Sequence, residues 1–113
     1  MNGVIIPEDV MTNKRYRDVT NSYITVYRPS KHVRVMTIWN CSLNEIISVR
    51  LDAIDYPVEV VDSPLFVTND AKMGRVRIDM SGNISGWVAS TYGSGSFVTS
   101  DTSKTFITFA YAV

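Results

Sequence analysis

Gly74-Arg75-Val76-Arg77-Ile78-Asp79-Met80-Ser81-Gly82-Asn83-Ile84 decides how this chain folds. Val76, Ile78 and Met80 alternate with Arg75, Arg77 and Asp79, the period of a strand that buries one face. Ser81-Gly82-Asn83 follows, and both Gly and Asn tolerate the positive φ that a tight reversal needs. Ile84 to Ala89 then reads as the returning arm. The stretch is a β-hairpin, and it sets the expectation for its neighbours.

Upstream, Ser22-Tyr23-Ile24-Thr25-Val26-Tyr27-Arg28 is rich in β-branched and aromatic residues and stops at Pro29. Lys31 to Trp39 continues as a strand, with Val33 and Val35 opposite His32 and Arg34. Asn40-Cys41-Ser42-Leu43-Asn44 reads as a turn. Glu45 to Ile54 reads as a further strand, with Ile47, Val49 and Leu51 opposite Ser48, Arg50 and Asp52. Pro57 and Pro64 bracket Val58 to Val61, which suits a short edge strand. Downstream, residues 92–96 read as a flexible loop, and Thr105 to Val113 as a last strand apolar on both faces. Such a strand lies in the middle of a sheet or packs its second face on another subunit. Glu8 to Asp18 has room for a helical turn or two, but its apolar residues are too sparse for an amphipathic face. About eight short strands at spacings of roughly ten residues predict an all-β domain, an antiparallel sandwich or Greek-key barrel. Residues 1–20 read as a lead-in and residues 21–113 as the compact body.

The 113 residues suit a single domain, and 45% of them are hydrophobic. Eleven Lys and Arg balance eleven Asp and Glu. That balance argues against nucleic acid as a partner, because phosphate neutralisation by a basic face supplies most of such affinity. No apolar run is long enough to cross a membrane, and the start lacks the charged and apolar regions of a signal peptide. With one cysteine, Cys41, and one histidine, His32, neither an intramolecular disulfide nor a thiolate metal site is expected. No cofactor motif appears, since Gly93-Ser94-Gly95 lacks the third glycine and the helix of a dinucleotide fingerprint.

Tyr27-Arg28-Pro29-Ser30-Lys31-His32-Val33-Arg34-Val35 resembles the "Y-R-P-S-x-x-V-R" segment of C-terminal head domains in bacteriophage tail fibres and receptor-binding proteins. Gly74 to Ile84 is similar to their "R-V-x-I-x-x-x-G-x-I" hairpin. A closing aromatic strand such as Phe106 to Val113 is shared as well. The resemblance spans roughly residues 21–113; the start and the acidic stretch from Asp52 to Asp70 differ. It implies a homotrimeric β-sandwich in the virion that attaches a phage to bacterial cell-wall saccharide, beside other tail and baseplate proteins.

No nucleophile elbow, metalloprotease helix or P-loop occurs, so binding without catalysis is the expectation. Asp52, Asp55, Glu59 and Asp62 are the residues for sugar hydrolysis or for Ca²⁺, and they read as a solvated rim. Saccharide binding asks for aromatic rings against C–H faces, with charged or amide partners for hydroxyls. The candidates are Trp87, Tyr92, Tyr56 and Trp39, with His32, Arg50, Asp52, Asp55 and Asp70 as polar partners. Trp39 ends an apolar strand, which favours the core. Trp87 and Tyr92 flank the hairpin and its loop. A structural or assembly module of a phage tail is the alternative reading.

Overall fold

A computed structural model describes residues 10–91, 94–99 and 101–113. Strands β1 (Thr12–Val19), β2 (Ser22–Arg28), β3 (Val33–Ser42) and β9 (Lys104–Ala112) form one sheet in the order β1-β2-β3-β9. Strands β4 (Val61–Asp62), β6 (Met73–Ile78), β7 (Ile84–Thr91) and β8 (Ser94–Val98) form the second, with β5 (Phe66–Val67) also paired to β6. Every pairing is antiparallel. The all-β sandwich expected from the alternation is the observed architecture.

Period-two patterning places the core. Ile24 and Val26 of β2, Met36 and Ile38 of β3, and Phe109 and Tyr111 of β9 point to one side. They meet Val76 and Ile78 of β6 and Ile84 and Val88 of β7 in a single buried cluster. Burying each such side chain contributes roughly 1.5–3 kcal/mol, so the contact between the sheets dominates stability.

The hairpin forms as expected, with Ile78 paired to Ile84. Gly82 turns with φ +79°, and the Asp79 carboxylate accepts from the N–H groups of Ser81 and Asn83. Met80 lies beyond the end of β6 and is exposed, not inward. A side chain at Gly82 would collide with the Tyr56 ring and force an unfavourable φ. Gly82→Ala is therefore expected to lower unfolding free energy by about 1–3 kcal/mol in a denaturant titration.

Five expectations change. Thr12–Val19, inside the segment read as a lead-in and as a place for helical turns, is an edge strand paired along its length with β2. Asn40 to Ser42 belongs to β3, which bulges where Asn40 takes φ 53°. Glu45 to Ile54 is not a strand: it begins in helix α1 (Leu43–Ile47) and continues to a 3-10 turn at Ala53–Asp55. The reason is a capping box. Ser42 accepts from the Glu45 N–H, Glu45 accepts from the Ser42 N–H, and Leu43 and Ile46 bury one helical face. Residues 94–96, part of the stretch read as loop, belong to β8, which pairs with β7. The edge strand near Val58 shrinks to Val61–Asp62.

Candidate functional site

The Tyr27 to Val35 segment is two strand ends joined by a turn. Arg28 closes β2 and Arg34 is the second residue of β3, both on the inward face. Two buried guanidinium groups need a counter-charge, and the 3-10 turn supplies it. Asp55 is 0% exposed. Its Oδ1 accepts from Arg34 Nε at 2.7 Å and Arg28 Nε at 2.9 Å, and its Oδ2 from Arg28 Nη2 at 2.7 Å. Tyr16, turned inward by the β1 bulge, donates its hydroxyl to Asp55 Oδ2. Tyr111 donates to the Asp55 carbonyl at 2.9 Å, and Arg34 Nη2 to the Ile54 carbonyl at 3.0 Å.

Burial alone would raise the Asp55 carboxyl pKa, but hydrogen bonds from Arg28, Tyr16 and Arg34 hold it below the ordinary value. Burial, together with the bond to Asp55, pushes the Tyr16 phenol well above its usual range. Asp55 is thus an ionised structural anchor with its oxygens occupied. It is not placed to meet a sugar, because no part of it reaches solvent.

The anchor shapes a cleft. By fixing the 3-10 turn against the turn between β2 and β3, it opens a space of about 380 Å³ lined by Val10, Lys31, His32, Arg34, Ala53, Ile54, Tyr56 and Val113. His32 and Tyr56, two of the candidates, meet here. The backbone of His32 is pinned on both sides, its N–H to Ser30 Oγ at 3.3 Å and its carbonyl to the Val113 N–H at 3.0 Å. The Tyr56 ring rests on Gly82. Apolar walls with a few convergent polar groups are what a small ligand requires.

A second feature is the outer face of the four-stranded sheet. On β2, β3 and β9 register sets uncharged side chains in cross-strand rows: Tyr23–Trp39–Phe106, Thr25–Thr37–Thr108, Tyr27–Val35–Ala110 and Val33–Ala112. On β1 the first three rows end in Asp18, Arg15 and Asn13, with Arg15 over the Tyr23 ring at 5.5 Å and paired with Asp18. Trp39 is 47% exposed rather than in the core, because it alternates with buried Ile38 on β3. It lies 6.4 Å from Tyr23 and edge-on to Phe106 at 4.7 Å, centroid to centroid. The two central threonine hydroxyls stand 3.2 Å apart. At roughly 4.8 Å between strands and 6.7 Å between rows, the rows cover about 400 Å², the scale of patches that mark interaction sites. The last strand, β9, is an edge strand and not a central one.

The other candidates are dispersed. Trp87 lies on the outer face of the second sheet with Arg77 over its ring at 5.8 Å, and Arg77 is paired bidentately with Asp62. Arg50 donates to Asn83 Oδ1 at 2.8 Å, Asp52 faces Lys14 at 3.7 Å, and Asp70 accepts from Thr68 at 2.8 Å. Tyr92 lies outside the described residues. Among the described residues, no three His, Cys, Asp or Glu side chains gather as a metal site would need. Sequence reasoning missed Lys31 in the cleft and Tyr23, Tyr27 and Phe106 on the outer face. The signal for the face was available: Tyr23, Thr25 and Tyr27, like Phe106, Thr108 and Ala110, are uncharged at every second position. Comparisons with protein-family models, curated proteins and solved structures give no match to this chain.

Proposed function

We propose that the chain is a non-catalytic attachment head of a bacteriophage tail fibre or baseplate, a homotrimer in the virion that binds saccharide on the bacterial surface. One observation carries this reading: the cleft opens at the end of the uncharged face formed by β2, β3 and β9. Val33 and Ala112 form the last cross-strand pair of that face, and their chain neighbours His32 and Val113 line the cleft. Copies joined through the face would hold their clefts together at its rim. Weak single-site binding then becomes firm attachment, because the second and third engagements are intramolecular. The resemblance of Tyr27 to Val35 to phage head domains points the same way.

The runner-up is an assembly module of a phage tail, in which the same face meets a neighbouring tail protein. A glycan hydrolase has less support, because three of its four carboxylates sit with separate cations: Asp52 with Lys14, Asp55 with Arg28 and Arg34, and Asp62 with Arg77. Neither nucleic acid nor membrane insertion enters the proposal. Calorimetric titration of the chain with purified bacterial cell-wall polysaccharide tests it. Saturable uptake without release of reducing ends is expected, with His32→Ala weakening it about tenfold through one lost ligand contact. No uptake at millimolar saccharide would favour the assembly module, and product release the hydrolase.

A further inference from the structure

We infer that the cleft takes an anionic glycan, one bearing phosphate or carboxylate groups along its chain. This rests on the saccharide reading of the same cleft and narrows it. Among the described residues, the polar side chains in the lining are Lys31, His32, Arg34 and Tyr56, with no Asp or Glu. Lys31 and His32 are exposed, and neither side chain has a carboxylate partner among the described residues.

The floor reinforces this. Two guanidinium groups, Arg28 and Arg34, face a single carboxylate, Asp55, so the buried cluster carries a net positive charge just below the opening. Burial weakens solvent screening of that excess charge. Asp52, next to the lining residue Ala53, is an acidic group near the cleft, and it is engaged by Lys14. A neutral sugar entering here would accept a hydrogen bond from the Lys31 ammonium but leave its charge uncompensated. An anionic one would supply the missing counter-charge while its C–H faces rest on Ile54 and Tyr56.

Isotope-labelled full chain titrated with poly(glycerol phosphate), polygalacturonate and neutral dextran of matched length tests the inference. The two polyanions are expected to bind at least about tenfold more tightly than dextran, and the stronger of them identifies phosphate or carboxylate as the preferred group. Raising salt from about 50 to about 200 mM should weaken polyanion binding and leave dextran unaffected. Lys31→Gln should reduce polyanion affinity about two- to fivefold, the effect of one exposed charge pair. Amide shifts should centre on Lys31, His32 and Tyr56. Equal affinity for dextran, an unaltered Lys31→Gln, or shifts centred on either outer sheet face would overturn the inference while leaving saccharide attachment standing. Failure of all three polymers, with cell-wall polysaccharide also inert, would remove both.

Discussion

Asp55→Ala is expected to cost the folded chain about 3–5 kcal/mol, a large share of its stability. The substitution removes one carboxylate and strands two guanidinium groups, Arg28 and Arg34, of which Arg34 is 2% exposed. Breaking a buried pair in this way destabilises by about 3–5 kcal/mol, because the remaining charge has neither water nor a partner. A domain of this size has only about 5–15 kcal/mol in total. Urea titration followed by tryptophan fluorescence should show the midpoint falling by roughly 1.5–3 M at a slope of about 1–3 kcal/mol/M. Tyr16→Phe, which removes one donor and leaves the ion pairs, should lose only about 1 kcal/mol. An Asp55→Ala midpoint close to that of the unmodified chain would contradict the anchor role.

The same group fixes the acid limb of stability. The Asp55 carboxyl is held below its ordinary value of 3.8 in the folded chain. Between the folded and unfolded values, the unfolded chain binds more protons, so stability rises with pH across that interval. The contribution is fully present above about pH 5 and is lost as pH falls through the folded pKa. Glu45, lowered by its bond from the Ser42 N–H, adds in the same direction.

The strands were legible because period-two alternation and turn residues are local signals. What failed was local too, or had a distant partner. Glu45 to Ile54 alternates well enough to pass for a strand, yet the Ser42–Glu45 capping box was present in the sequence and outweighs the pattern. Asp55 read as rim because nothing nearby in sequence neutralises it; its partners lie 21 and 27 residues away. Trp39 read as core on burial averages, whereas its parity with Val33, Val35 and Thr37 puts it outside. In the candidate site, His32 and Tyr56 were named as a polar and an aromatic candidate without any link between them, and only the fold brings them to one cleft. The Arg-Pro-Ser segment itself proved to owe its arginines to Asp55 rather than to a ligand.

Ala110→Arg is expected to abolish self-association without unfolding the chain. Ala110 is exposed toward the C-terminal end of β9, between Thr108 and Ala112 on the same face and across from Val35. In the separate chain an arginine there reaches water, so stability should change by less than about 0.5 kcal/mol. In an assembly closed through this face, its charge would be buried among uncharged side chains. Desolvation without a partner costs several kcal/mol, about a hundredfold or more in association constant. Saccharide uptake by immobilised polysaccharide should fall with it through lost avidity, while single-site affinity for a short oligosaccharide stays the same. Unchanged assembly in this variant would place the interface elsewhere.

The mass of the unmodified chain in solution tests the attachment-head reading most directly. Sedimentation equilibrium at micromolar to sub-millimolar concentration should give a species of three times the 12.7 kDa chain mass. A single species of 12.7 kDa across that whole range would contradict assembly through the uncharged face, and with it the trimeric attachment head.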